Sequence, residues 1–256
     1  MSEPEVQFIR DDRVVVLTIQ RPPANAMNLS AMQALQEHLS RLAEDSSVWS
    51  IILTGAGEKG FCAGFDLKDG AHAAQMNPLA QQVCNQLESM PKPVIAAING
   101  YALGGGCELA MSCHFRFMVN KDKAVIGLPE TELGVIPVWG GTQRLPRLIG
   151  RGKALDMMIF SKKIGGEQAL QIGLVDKLCD PGQLQEEAME YAQALATRPP
   201  KAVAALMHAV RIGTEQGLDA GLKAELDQVA GLSSSKDAME GINAFFQKRP
   251  PQFTGE

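Results

Sequence analysis

The chain has 256 residues, with 24 lysines and arginines against 29 aspartates and glutamates, so its formal net charge is −5. Hydrophobic residues make up 45% of it, which excludes a disordered chain. The acidic balance argues against a general nucleic-acid binder, and no apolar run is long enough to span a bilayer. The composition predicts a globular chain of one or two domains that needs no disulfide or metal to hold its core.

The five cysteines are widely spaced and form no Cys-x-x-Cys pair, so they predict neither a disulfide framework nor a zinc site. The N-terminus is acidic and lacks the apolar core of a secretory signal. Because this combination is typical of a reducing compartment, we expect the chain to be cytoplasmic.

Along the chain, the first predicted elements are a strand, a helix and a second strand. Val14–Ile19 is rich in β-branched residues and is followed by two prolines. Ser30 and Gln33 form a capping box ahead of a helix with apolar residues at helical spacing, and residues 48–54 form a buried strand. Short connections between these elements indicate a βαβ unit and a parallel sheet.

The later elements follow from the same kinds of signal. They are a helix over residues 76–88, a strand at Val94–Ile98, a helix over residues 107–112, a strand at Val125–Gly127 and a helix over residues 140–149. From residue 152 onward the pattern is mostly helical, with one short strand over residues 174–178. The proline pair at 199–200 marks a change to all-helical composition, and we place a soft boundary there.

The first segment that could carry chemistry is residues 104–108, with three glycines and Glu108 between a strand and a helix. Unpaired N–H groups at a helix N-terminus suit an anion or a developing oxyanion. The simpler alternative is a glycine turn in which Glu108 complements the helix dipole. The spacing does not form the Gly-x-Gly-x-x-Gly fingerprint of dinucleotide binding.

Two further segments carry acidic residues. Residues 61–68 follow a strand at the position where open parallel sheets bind ligands, although an ordinary loop in which Asp66 caps a helix is the stronger interpretation of that segment alone. Glu130 and Glu132 lie among apolar residues, and a carboxyl in an apolar pocket has a raised pKa and can act as a general acid. We expect Glu130 to be the buried one and Glu132 to face solvent.

These segments and several others resemble the crotonase family, also called the enoyl-CoA hydratase/isomerase family. The matching stretches run in order over most of the chain, at residues 21–28, 52–57, 61–67, 92–110, 127–130, 133–137, 140–145 and 244–249. The scattered histidines and the lack of a Gly-x-Ser-x-Gly elbow give no support to a serine hydrolase.

The resemblance implies an α/β fold in which a crotonase-like spiral of ββα units over residues 1–198 precedes a C-terminal helical trimerisation region over residues 199–256. It also implies a homotrimer, or a hexamer made of two trimers, and an acyl-CoA thioester as substrate. We expect no metal, no separate cofactor, no nucleic acid and no membrane among its partners.

By position, the resemblance implies that Glu108 and Glu130 are catalytic and that the backbone N–H groups of Phe65 and Gly105 form an oxyanion hole. Two glutamates favour syn addition of water to a 2-enoyl-CoA through a thioester enolate. An isomerase of the family can work with one glutamate, usually at the Glu130 position, so isomerisation or another reaction of the same enolate stays an alternative. Some relatives have been linked to RNA binding, but the acidic residues of the helix over 30–45 disfavour it here.

The resemblance also assigns the binding of coenzyme A and the acyl group. The segments concerned contain Ala26, Ala63, Gly64, Asp66, Leu67, Lys68, Phe245 and Lys248. Lys68 and Lys248 are candidate phosphate contacts, and Lys248 could reach the ligand across a subunit boundary. Val138 and Trp139 depart from the usual pattern, which has glycine after the proline, and we expect them to shape the acyl pocket.

Overall fold

The computed structural model describes residues 4–256. Within that range there are ten strands and ten α-helices, with two 3-10 helices at Leu67–His72 and Glu130–Leu133. The strands are β1 (Val6–Asp11), β2 (Val14–Ile19), β3 (Ser50–Gly55), β4 (Gly60–Cys62), β5 (Val94–Ile98), β6 (Tyr101–Leu103), β7 (Phe115–Val119), β8 (Val125–Gly127), β9 (Lys163–Gly165) and β10 (Lys177–Cys179). The helices are α1 (Leu29–Glu44), α2 (Ala73–Glu88), α3 (Gly105–Ser112), α4 (Gly141–Ile149), α5 (Arg151–Ile159), α6 (Gly166–Gln171), α7 (Leu184–Leu195), α8 (Pro200–Gln216), α9 (Leu218–Leu232) and α10 (Lys236–Gln247).

The strands form two sheets that grow by one repeated unit. The larger sheet has the order β1-β2-β3-β5-β7-β10, and the smaller has the order β4-β6-β8-β9. Each ββα unit gives its first strand to the larger sheet and its second to the smaller: β3 and β4 precede α2, β5 and β6 precede α3, and β7 and β8 precede α4. This repetition confirms the expected spiral of ββα units.

The core lies on the parallel part of the larger sheet. Strands β2, β3, β5 and β7 pair in parallel, as the βαβ pattern predicts. Every residue of β3 and β5 is buried, because parallel strands covered on both faces are apolar along their whole length. The predicted apolar face of α1 is buried against this layer, at Ala31, Met32, Leu35, Leu39 and Leu42.

The structure corrects the predicted start of α1. The capping box of Ser30 and Gln33 is wrong, because Asn28 is the N-cap and its side chain accepts a hydrogen bond from the Ala31 N–H at 2.9 Å. Ser30 Oγ is instead hydrogen-bonded to Glu5. An asparagine side chain at the N-cap satisfies one of the free amides of the first turn, and the helix begins at the next residue, Leu29.

The C-terminal residues form α8, α9 and α10, and α8 begins at Pro200, next to the predicted boundary. The division into regions 1–198 and 199–256 stays a prediction. None of the helices within residues 4–256 has the length and apolar character needed to cross a bilayer.

Candidate active site

The site is built around the N-terminus of α3. Gly104 is the N-cap, with a positive φ of 55°, and the helix starts at Gly105. The first amides of a helix have no helical carbonyl to bond, so the Gly105 N–H is available to a ligand. Glu108 lies in the first turn and donates its own N–H to the Gly104 carbonyl at 3.1 Å. The glycine run and the glutamate therefore stand together, as the sequence predicts.

The Glu108 carboxyl is deeply buried, with 1% of the residue exposed. Its Oε1 accepts two backbone hydrogen bonds, from Trp139 N at 2.8 Å and from Gly141 N at 2.7 Å. The pKa of Glu108 is raised to about 7: burial is the largest cause, the charge of Glu130 adds to the rise, and the two N–H donors oppose it. A carboxyl with a pKa near neutrality can exchange protons at physiological pH.

Glu130 is the second carboxyl of the site. Its side chain is aimed at α3, since Oε1 would be 3.1 Å from a Cβ placed on Gly104. Its Oε2 is buried and has no hydrogen-bond partner among residues 4–256, and burial raises the pKa of this carboxyl. Glu132 is exposed and pairs with Lys163 at 3.0 Å, whereas Glu130 is half-buried, so the expected member of the two is the less exposed one.

A second backbone amide lies beside α3, on the loop after β4. Met27 N donates to the Gly64 carbonyl at 2.7 Å, and Asp66 N donates to the Met27 carbonyl at 2.9 Å. In this parallel bridge the N–H of Phe65 points away from Met27. A Cβ on Gly64 would be 2.7 Å from Gly105 N, so the backbone before Phe65 touches the amide that begins α3.

Arg21 joins the segments expected to hold coenzyme A. Its guanidinium donates to the Ala26 carbonyl and, at 3.2 Å, to Asp66 Oδ2, while its Nε donates to Glu5 Oε1 at 2.8 Å. On the next segment, Ala63 N donates to the Ala24 carbonyl at 3.1 Å. No role for Arg21 is expected from the sequence, although this residue opens the first matching stretch of the resemblance.

The rim of this loop faces solvent. Asp66 caps the following 3-10 helix by accepting from Lys68 N at 3.1 Å, which is the structural role considered for it from the sequence. Leu67 is 69% exposed, and Lys68 is exposed beside it. Both can meet a ligand only at the surface, and their part in binding stays a prediction.

The departure at residues 138–139 lies against the site. Trp139 is buried, and its indole covers Gly105, where any Cβ would overlap the ring. The indole N–H donates to Asn77 Oδ1 at 3.3 Å. Val138 is half-buried, and its carbonyl accepts from Gln81 Nε2 at 2.6 Å. Trp139 thus forms a wall beside both Gly105 and Glu108, whereas Val138 lies one residue earlier in the loop.

The two C-terminal candidates are not joined to the site within the chain. Phe245 is 78% exposed on α10, and Lys248 ends that helix in a left-handed conformation with φ of 54°. The helix is anchored where Asp237 accepts from Thr254 N at 2.8 Å and Gly255 N at 2.9 Å. Among residues 4–256, no hydrogen bond or ion pair links either candidate to Glu108 or Glu130. Contact across a subunit boundary stays a prediction.

The chemistry available here is proton transfer beside exposed backbone donors. Burial raises the pKa of Cys62 to about 12, so this cysteine is a thiol and not a nucleophilic thiolate at neutral pH. In the described part of the chain, no group of three or more metal-binding side chains comes together. That the reaction needs neither metal nor separate cofactor stays a prediction. Two carboxyls with raised pKa values and two backbone amides suit a reaction that builds negative charge on an oxygen.

Comparison with known proteins assigns the family. A family model described as enoyl-CoA hydratase/isomerase matches residues 10–256. The chain is 40% identical over 255 residues to the 2,3-dehydroadipyl-CoA hydratase of Escherichia coli, covering 98% of this chain and 99% of the relative. It is 38% identical over 246 residues to the short-chain-enoyl-CoA hydratase of Clostridium acetobutylicum, covering 94% of each. The crystal structure of enoyl-CoA hydratase from Bacillus anthracis superposes with a TM-score of 0.95 at 38% identity, covering 98% of this chain and 100% of that one. The chain belongs to the enoyl-CoA hydratase/isomerase family.

Proposed function

We propose that this chain is an enoyl-CoA hydratase, a hydro-lyase that adds water syn across the double bond of a 2-enoyl-CoA. The observation that carries the proposal is a pair of carboxyls at the start of α3, the buried Glu108 and the half-buried Glu130, in which the charge of Glu130 raises the pKa of Glu108. An isomerase needs a single group to move a proton between two carbons. Hydration needs one group to activate water and one to protonate carbon, so each of the two glutamates has a role.

The backbone amides supply the electrophilic part of the mechanism. When water attacks C3 of the enoyl group, negative charge develops on the thioester oxygen and an enolate forms. The N–H groups of Phe65 and Gly105 are the donors we assign to that oxygen, with the positive end of α3 behind Gly105. Removing one such donor costs about 2.7–4 kcal/mol of transition-state stabilisation in other enzymes.

The surroundings of the two glutamates suggest different roles. Glu108 accepts two N–H bonds on Oε1, which stabilises its carboxylate form. We assign it to orienting the attacking water and taking its proton. Glu130 has a buried oxygen with no hydrogen-bond partner among residues 4–256 to stabilise a negative charge, and burial raises the pKa of its carboxyl. We assign it to giving a proton to C2 of the enolate.

Coenzyme A is a polyanion, whereas the chain has a net charge of −5, so its recognition must be local. The segment from Ala63 to Lys68 and the Ala26 backbone, tied together by Arg21, form one continuous rim next to the proposed oxyanion hole. We propose that this rim receives the pantetheine and adenine parts and that Lys68 meets a phosphate. A cytoplasmic location fits such a substrate and stays a proposal.

The activity is tested by incubating the protein with crotonyl-CoA, with a 3-enoyl-CoA and with 2,3-dehydroadipyl-CoA. We expect the conjugated absorbance of a 2-enoyl substrate to fall and its mass to rise by one water. Two 2-enoyl substrates are used because the relatives named above differ in acyl group. Conversion of the 3-enoyl substrate without a change of mass, and no hydration of either 2-enoyl substrate, would make the chain an isomerase instead.

We further propose a homotrimer, or a hexamer of two trimers, assembled through the C-terminal helices. Large apolar side chains exposed in a single chain mark interaction surfaces when they cluster. Those on α8, α9 and α10 are Leu206, Val210, Leu218, Leu222, Leu226, Val229, Met239, Ile242, Phe245 and Phe246. Light scattering after gel filtration is expected to give three or six times the mass of one chain, and a monomer at micromolar concentration would contradict the assembly.

A further inference from the structure

Arg144 is a buried cation next to the site but outside the reacting groups. It lies on α4 and is 8% exposed. Its Nε and Nη2 donate to Glu88 Oε2 at 3.0 and 2.7 Å, and Nη2 also donates to Asn85 Oδ1 at 2.7 Å. Both acceptors lie on α2. A planar guanidinium held by several acceptors has a fixed orientation.

The remaining arm of this guanidinium reaches the loop in front of α4. Arg144 Nη1 donates to the Trp139 carbonyl at 3.1 Å. The guanidinium also fills the space beside Gly140, where a Cβ would overlap it, and Gly140 has a positive φ of 115°. The absence of a side chain at Gly140 therefore leaves the space that the Arg144 guanidinium occupies beside the turn.

The same turn carries the hydrogen bonds to Glu108. The two donors to Glu108 Oε1 are Trp139 N and Gly141 N. Arg144 is therefore hydrogen-bonded to one of these two residues, Trp139. Two other residues of α2 also contact this loop. Asn77 accepts a hydrogen bond from the Trp139 indole N–H, and Gln81 donates one to the Val138 carbonyl. A continuous set of contacts thus runs from α2 through Arg144 to the carboxyl of Glu108.

We propose that Arg144 is a positioning residue for this reaction: it fixes the turn at residues 139–141 so that two backbone amides stay aimed at Glu108. This proposal rests on the proposed function in one respect, namely that Glu108 is the base. The geometry of the turn is independent of which acyl-CoA reaction the chain catalyses.

The electrostatic consequence has a definite sign. The charged group that raises the pKa of Glu108 is Glu130, on the 3-10 helix, while Arg144, on α4, lowers it. The nearby thiols of Cys84 and Cys107 have raised pKa values and stay neutral. Losing Arg144 removes the favourable charge and loosens the two N–H donors. Both changes raise the pKa of Glu108, so activity that needs its carboxylate moves to higher pH.

The test compares Arg144→Gln with Arg147→Gln. Arg147 lies one turn later on α4, is exposed and donates to the Gln143 carbonyl, which makes it a matched control. For Arg144→Gln we expect the rising limb of kcat against pH for crotonyl-CoA hydration to move up by roughly 0.5–1 pH unit. We expect kcat at pH 7 to fall by roughly 10- to 100-fold, with little change in KM. The Arg147→Gln profile is expected to overlay that of the wild type.

A second measurement does not depend on catalysis. Isotope-edited infrared titration of protein carrying 13C-labelled glutamate reports the protonated carboxyl band of Glu108, assigned by its loss in Glu108→Gln. A midpoint that rises in Arg144→Gln supports positioning, even if the wild type hydrates no substrate and the proposed function fails. A folded Arg144→Gln protein in which neither the limb nor this midpoint moves overturns the proposal.

If Arg144→Gln does not fold, Arg144→Lys tests the proposal instead. Lysine retains the charge but not the planar fork. We expect the Glu108 midpoint to stay within about 0.3 pH unit of wild type, since the charge is kept, while kcat at pH 7 remains lowered. Full wild-type kcat in Arg144→Lys would contradict a role for the fork in holding the turn.

Discussion

Glu130→Gln is expected to lower kcat for hydration of a 2-enoyl-CoA by about 100- to 10,000-fold, the range over which positioned general acids act, while KM changes little. The amide keeps the size of the side chain and can still lie against Gly104, but it has no proton to give to C2. Burial raises the pKa of the Glu130 carboxyl because it disfavours the charged form, and a neutral amide avoids that cost. Folding should therefore be preserved while turnover is lost.

The matched control is Glu132→Gln, two residues away on the same 3-10 helix. Glu132 is exposed and paired with Lys163, and an exposed ion pair contributes little to stability. Its loss is expected to leave kcat within about twofold of wild type, since such surface changes usually alter stability by no more than about 0.5 kcal/mol. Steady-state kinetics and a thermal melt of both variants check the pair. Turnover near the wild-type rate in a folded Glu130→Gln protein would remove this residue from the mechanism.

The sequence predicted the long elements of this fold and one short strand, Val125–Gly127, and missed other short strands. The apolar runs of Val14–Ile19 and Val94–Ile98 became strands with the expected bounds. Strands such as Gly60–Cys62 and Tyr101–Leu103 have only three residues. A period of two cannot be recognised over three residues, and their strand character comes from pairing with each other in the smaller sheet. Only the family resemblance implied the spiral.

The site shows the same division between local and distant signals. Glu108 could be proposed from its neighbours in the chain, because the glycine run places it at a helix start. The partners of Arg144 and Arg21 could not, since Glu88 lies 56 residues from the first and Asp66 lies 45 residues from the second. Nothing in hydrophobic periodicity or spacing specifies a contact between a side chain and a carboxylate on another element. These residues emerge only when the helices are packed.

Gly64→Ala is expected to reduce kcat by about 100- to 1,000-fold, the effect of losing one oxyanion-hole donor. Gly64 has a positive φ of 86°, and a Cβ there would be 2.7 Å from Gly105 N and 2.8 Å from the Leu103 carbonyl. That contact is too close to be accommodated without moving backbone. The methyl group would either cover the Gly105 N–H or displace the Phe65 N–H, and in both cases the developing enolate loses a donor.

Backbone strain at a residue with positive φ is a second way in which Gly64→Ala can lower kcat, and Gly57→Ala is the control for that strain. Gly57 has a similar positive φ of 73°, but a Cβ there would meet no atom within 4 Å. Both variants are expected to lose roughly 1–2 kcal/mol of stability from the left-handed conformation. Gly57→Ala should nevertheless retain wild-type kcat, because its methyl group approaches no donor. The difference in kcat between two variants of similar backbone strain isolates the crowding of the oxyanion hole, and equal kcat values would show that the Gly64 contact with Gly105 has no part in catalysis.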